Sequence, residues 1–379
     1  MMQEFENNMH LQVLSLPALM REQYADLEPK VRTLFSTPEI FSLQRIILTG
    51  CGDSHAAAMA MKYAIEALTG LPVDVVSALE LSRFYNKNQL GFAPNNPLVI
   101  AVSNSGGILR ISEAIQRANH YGAFTLGITG NRESALGKSA QRVLDLKISP
   151  FASAPGTRSY LVSLMALYLL AIRIGEVRGR FTMDRAMEYR MDILLHAEQI
   201  EKEMPKTDAM MLALAKQWQT LCAYDFIGAG QDFAAAWYGH AKIFEAVGRY
   251  AMCINTEEWL HLNFFMREVD KIGTVLVCSS DSPALSRALE LEKYAVRDMG
   301  RPMLVITDCD GVFTHAENVC RLPKSKEIFT GAMSQFIPLS LLAGYLGEMI
   351  GEVDGRGCVG PWAFAQGGAG ITTGKLELI

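Results

Sequence analysis

Two glycine- and serine-rich turns in this 379-residue chain have the composition of phosphate cradles. Ser103-Asn104-Ser105-Gly106-Gly107 follows the apolar run Leu98 to Val102 and opens a helical pattern at Ile108. It offers two hydroxyls, an amide and backbone N–H donors where glycines let a phosphate oxygen approach closely. Gly50-Cys51-Gly52-Asp53-Ser54 follows a second apolar run and supplies a similar turn. When such a turn joins a strand to a helix, the free N–H groups and positive dipole end of the helix favour an anion. The chemistry expected of Gly52, Asp53, Ser54, Ser103, Asn104, Ser105 and Gly106 is the holding of a small phosphorylated substrate.

The elements that must position these turns are written twice. Gly50-Cys51-Gly52-Asp53-Ser54 returns 178 positions on as Gly228-Ala229-Gly230-Gln231-Asp232, and Ile128-Thr129 returns as Ile306-Thr307 at the same offset. Apolar runs predict strands at 45–49, 73–77, 98–103, 124–129 and 143–148, and again at 225–227, 251–254, 274–278, 303–307 and 319–322. Helices are expected near 16–35, at 54–68, 108–121, 232–247 and 283–299, the last four each followed by glycine. Alternating strands and helices give an α/β fold with two parallel five-stranded sheets, doubly wound and flavodoxin-like. A helical connector over about 160–219 is expected to break at Pro205. The boundaries read as an N-terminal unit 1–180, a connector 181–220 and a C-terminal unit 221–379. In the second copy Ser279-Ser280-Asp281-Ser282-Pro283 stands where the first has its glycine-rich turn, so only the first copy is expected to hold phosphate.

Bulk composition narrows the classes. A net charge of −5 with scattered Lys and Arg argues against a nucleic-acid surface. The seven cysteines, Cys51, Cys222, Cys253, Cys278, Cys309, Cys320 and Cys358, contain no CxxC pair, so neither a disulfide framework nor a metal site is expected, and the cytoplasm fits. Half of the residues are hydrophobic, which suits buried interfaces and a homodimer or higher homo-oligomer. The acidic start of the chain does not read as a secretory signal. The apolar stretches 160–172 and 336–350 read as buried helices, not membrane spans.

Gly-Cys-Gly-x-Ser after the first strand, Ser-x-Ser-Gly after the third and the tandem repeat resemble the sugar isomerase (SIS) domain proteins over essentially the whole chain. Among them are the isomerase half of glucosamine-6-phosphate synthase, amino-sugar-6-phosphate deaminases/isomerases and fructosamine-6-phosphate deglycases. The resemblance implies two tandem SIS domains, a 6-phosphorylated sugar substrate and no cofactor. It also implies a catalytic glutamate sixteen residues before a histidine, matched here by Glu245 and His261. Glu245 would carry the carbon-bound proton, and His261 would open the ring or protonate a leaving group. A sheltered Glu can be raised toward neutrality and His titrates there already. Family members often share the site between subunits.

Several positions depart from the family. Leu262-Asn263 stands where Gly-Pro usually follows the histidine, and Ile108 and Arg110 replace the hydroxyl and acid that continue the phosphate turn. Arg110 is a replacement donor for phosphate or a substrate carboxylate. Glu258 matches Glu80 of the first copy and reads as structural or site-orienting. Thr157 is the polar candidate in the segment that walls the sugar pocket in relatives. Lys375, in the glycine-rich tail that begins at Gly367, is the candidate to meet an open-chain carbonyl. Amide transfer from glutamine is not expected, since position 2 is Met and no glutaminase domain precedes the repeat. The contrasting reading is a non-catalytic phosphosugar-binding regulator.

Overall fold

The aliphatic and β-branched runs form ten strands among the described residues of the computed structural model, which are 7–91, 97–352, 371, 372 and 374–378. Arg45–Gly50 (β1), Val73–Ser77 (β2), Pro97–Val102 (β3), Phe124–Thr129 (β4) and Arg142–Asp145 (β5) make one parallel sheet in the order β2-β1-β3-β4-β5. Ala223–Gly228 (β6), Tyr250–Asn255 (β7), Ile272–Val277 (β8), Met303–Thr307 (β9) and Asn318–Arg321 (β10) make a second with the same connectivity, β7-β6-β8-β9-β10. This is the flavodoxin-like order, whose ligands collect where the strand order reverses. That point lies between β1 and β3 in the first sheet and between β6 and β8 in the second. All ten strands fall where the sequence places them.

The chain forms two compact units. One holds the first sheet within Leu19–Pro150, together with Arg158–Leu194 and the described tail residues. The other holds the second sheet within Leu195 onward, together with Phe151–Thr157 and the chain up to Ala18. The ends therefore cross relative to the linear boundaries 1–180 and 221–379. The cause is local bonding. Asn7, which caps the N-terminal helix, donates from Nδ2 to the Gly344 carbonyl at 2.9 Å, while the tail bonds to residues 83–110.

In the first unit alternate residues of β1 serve opposite faces of the sheet. Ile47 joins Val99, Ala101 and the apolar side of the helix Leu109–His120 in one fully buried cluster. The helix Asp53–Thr69 packs on Arg158–Val177, a helix long and apolar enough to cross a bilayer by composition but 83% buried within the protein over its most apolar window. Truncating one of its buried leucines to Ala would cost about 2–5 kcal/mol. The connector does not break at Pro205. It turns at Gly179 (φ +70°), and the helix Met183–Trp218 runs through Pro205, which is exposed.

The repeat extends to single backbone angles. Gly52 and Gly230 have φ of +56° and +58°, Gly70 and Gly248 of +68° and +67°, and Gly122 and Gly300 of +87° and +74°. Each pair lies at the 178-residue offset and uses the left-handed region that glycine tolerates. A Cβ on Gly50 or Gly228 would fall 2.7 or 2.6 Å from the backbone of the following helix. The two copies share these turn geometries at matched glycines.

Candidate active site

In the first unit, pairing of Thr49 with Ala101 brings the turns after β1 and β3 out side by side. Gly52 is exposed, and Asp53 and Ser54 sit half-buried in the first turn of the helix Asp53–Thr69. The second turn is held rigidly. Ser103 is buried and its hydroxyl accepts from Gly106 N–H at 3.1 Å, while the Asn104 carbonyl accepts from Gly130 N–H at 2.9 Å. Gly106 has φ +64°, and a Cβ there would stand 1.9 Å from Ser134 Oγ. Asn104 and Ser105 remain exposed. The turn thus presents polar groups on a fixed backbone at the switch point of the sheet.

Arg110 is committed elsewhere. It forms an ion pair with Glu113, a carboxylate only 1% exposed that also pairs with Arg83 at 2.6 Å. Its other nitrogen donates to the Lys375 carbonyl at 2.8 Å. Leu109 N–H donates to the Ile371 carbonyl at 2.9 Å, and Arg83 pairs with Glu377 at 2.8 Å. The tail therefore lies across the start of the helix that follows the phosphate turn. Lys375 contributes its backbone there and leaves its side chain exposed. Gly367 to Gly370 and Thr373 lie outside the described residues.

The second unit has the same turns with different contents. Ser103 N–H donates to the Ile128 carbonyl and Cys278 N–H to that of Ile306, so the matching turn begins at Cys278, one residue before the serines. Asp232, at the position of Ser54, is buried and accepts from Ser279 N–H at 3.0 Å, from Ser279 Oγ, and from Gln335 Nε2 at 2.7 Å. Asp308 accepts from Ser280 N–H at 2.6 Å and from Ser280 Oγ at 3.0 Å. Burial pushes the Asp232 carboxyl above its ordinary range, against the pull of its serine and glutamine donors. Donors that would face a phosphate are satisfied by internal carboxylates. The adjoining pocket is lined by Asp281, Asp308 and Ser279 among others. Asp232 and Asp308 thus take up the Ser279 and Ser280 donors of this turn.

Glu245 lies in Ile243–Val247, where the helix Asp232–Lys242 widens into a π turn, a distortion common at functional sites. Its side chain is 42% exposed, so the expected sheltering is not what sets its environment. Lys242, with no exposed surface, instead places Nζ 2.6 Å from Glu245 Oε2 and lies over the Tyr238 ring at 4.8 Å. Burial lowers the pKa of His240 below the ordinary histidine range, while the Trp237 carbonyl and the charge of Glu245 pull upward. Sequence reading overlooked Lys242. Its signal was its position four residues after Tyr238 and seven after Ala235, on the buried side of the helix.

His261 is exposed near the end of the seven-residue helix Thr256–Leu262. Glu258 is at the third position of that helix, its N–H capped by Asn255 Oδ1 at 2.9 Å, as Ser77 caps Glu80. This equivalence accounts for the backbone of Glu258 and leaves its side chain exposed. Thr157 is fully buried with its hydroxyl on the Pro155 carbonyl at 3.1 Å, which places it inside its own turn. Among the described residues no group of three or more His, Cys, Asp or Glu is arranged to hold a metal ion.

Two parallel sheets in flavodoxin-like order, each with a glycine-bearing turn after its first strand, define the class of fold, and known proteins share it. Residues 39–173 match the SIS domain model. It is 26% identical over 338 residues to the glutamine–fructose-6-phosphate aminotransferase (isomerizing) of Gloeobacter violaceus, covering 88% of this chain and 54% of that protein. The chain spans about half the length of the curated relatives it matches. In fold it is similar to the C-terminal domain of glucosamine-fructose-6-phosphate aminotransferase from Francisella tularensis (TM-score 0.80, 18% identity, 93% of this chain and 99% of that one). It is also similar to tagatose-6-phosphate ketose/aldose isomerase from Escherichia coli (TM-score 0.71, 17% identity, 92% and 95%).

Proposed function

We propose that this chain is a phosphosugar-processing enzyme acting on a 6-phosphorylated amino sugar or sugar–amine conjugate, by deamination, deglycation or aldose–ketose isomerisation. The observation that carries this reading is the 2.6 Å pair between buried Lys242 and Glu245. A carboxylate held beside an ammonium, yet open on its other side, is equipped to take a proton from a sugar carbon and return it to the neighbouring carbon. The intermediate is an enediol or, with nitrogen at C2, an enaminol. His261 serves as the acid and base that opens the ring or protonates the departing amine.

Holding the phosphate falls to Ser103, Asn104, Ser105 and Gly106, with Gly52, Asp53 and Ser54 beside them. In the second copy Asp232 and Asp308 occupy the corresponding donors, so one copy retains binding and the other carries the acid–base groups. Homo-oligomerisation with shared sites fits this division and belongs to the proposal.

Incubation with glucosamine-6-phosphate, fructosamine-6-phosphates and fructose-6-phosphate, while following ammonia or amine release and ketose–aldose conversion, tests the reading. Turnover of one of them that is lost in Glu245→Gln is expected. Binding of all three without product from any would favour the non-catalytic regulator instead.

A further inference from the structure

His261 has no side-chain partner among the described residues, and the helix that carries it has only seven residues, too few to hold a conformation unaided. Something else must fix it. Two residues before it, Trp259 is fully buried and donates from Nε1 to Asp225 Oδ2 at 3.0 Å. Two residues after it, buried Asn263 donates from Nδ2 to the same oxygen at 2.8 Å. Arg301, just before β9, gives a third donor to that oxygen at 3.0 Å, and its other terminal nitrogen reaches the Asn263 carbonyl at 3.4 Å. The guanidinium also lies over the Trp259 ring at 5.4 Å.

We propose that Asp225 is a positioning residue for His261, acting through Trp259 and Asn263 as a two-point anchor with Arg301 as its counter-charge. This rests on the catalytic reading of His261 given above. Stability alone does not account for the arrangement, because a buried ion pair is often matched or surpassed by apolar packing of the same volume. Convergence of donors from both sides of one histidine on a single carboxylate oxygen does account for it. The oxygen sits on a central strand, β6, paired on both edges, so the reference point is rigid.

Trp259→Phe and Asn263→Ala each remove one donor and leave the Asp225–Arg301 pair intact, so both variants are expected to fold. Turnover and histidine spectra of the full chain, selectively 15N-labelled at histidine, are compared with those of His261→Ala and of each double variant. Each single variant should lower kcat about tenfold, as small misplacements of catalytic groups do, with little change in KM. The His261 ring signals, assigned by their loss in His261→Ala, should shift or split. Neither change should reduce the residual turnover of His261→Ala further, since both act through that ring. Equal losses with and without His261, or His261 signals unmoved in both single variants, would overturn the proposal. If His261→Ala kept full turnover, the catalytic reading would fall by itself. The ring signals would then decide positioning alone, moved signals upholding it and unmoved ones ending it.

Discussion

Lys242 Nζ and Glu245 Oε2 stand 2.6 Å apart across the start of a π turn, the lysine wholly buried and the glutamate 42% exposed. The asymmetry makes the lysine a fixed support and the glutamate the working end. Replacing Lys242 by Met keeps the volume and leaves no buried charge unpaired, because Glu245 retains access to water. Turnover of Lys242→Met should fall by about two orders of magnitude, the lower end of what a positioned proton-transfer group contributes, with the melting temperature nearly unchanged. Steady-state kinetics beside thermal denaturation check both halves.

Gly106 and Gly107 are neighbours with opposite tolerances. At Gly106 a methyl group meets Ser134 Oγ at 1.9 Å and a φ of +64°, whereas at Gly107 its nearest neighbour is Ser105 Oγ at 4.0 Å. Gly106→Ala should therefore destabilise the protein by about 1–3 kcal/mol and raise KM for the phosphosugar. Gly107→Ala should leave stability within about 1 kcal/mol. Chemical denaturation of the two variants makes the comparison.

The strands and the glycine-bearing turns that follow them were legible because they rest on local signals. Strand runs and capping glycines act within a few residues, and the 178-residue offset repeats those same local signals. Lys242 was not legible, since a lysine three residues before a glutamate reads as a solvated helix pair until packing buries it. The filling of the second cradle was equally hidden. Asp232 reaches Ser279 across 47 positions, and only folding brings them together. Pro205 misled for the opposite reason, because its local helix-breaking tendency is overcome by a long, well-packed helix.

Asp232 should make stability depend on pH. Its carboxyl is raised above 3.8 in the folded protein, so the folded state keeps a proton that the unfolded state has lost. Stability from this group is fully present below about pH 3.8 and declines as pH rises through the raised value. Asp232→Asn should remove that decline, flattening the stability curve on the acid side of neutrality. Denaturant titrations across pH 4–8 would compare the slopes.

The tail should matter through its backbone. Ending the chain at residue 370 removes the Ile371, Lys375 and Glu377 contacts, whereas Lys375→Met leaves the carbonyl on Arg110 in place. Truncation should raise KM several-fold, while Lys375→Met retains most activity. Glu377 is exposed and its ion pair with Arg83 is of the weak surface kind, so neither variant should melt much earlier than the parent. Kinetics of the two proteins side by side would settle which part of the tail acts.

In the proposed reaction Glu245 moves a carbon-bound proton of a phosphosugar. Deuterium uptake at C1 or C2 of fructose-6-phosphate, glucosamine-6-phosphate or a fructosamine-6-phosphate in heavy water, followed by NMR, tests it without requiring net turnover. Uptake with the wild-type chain and its loss in Glu245→Gln is the predicted result; uptake by Glu245→Gln at the wild-type rate would contradict it.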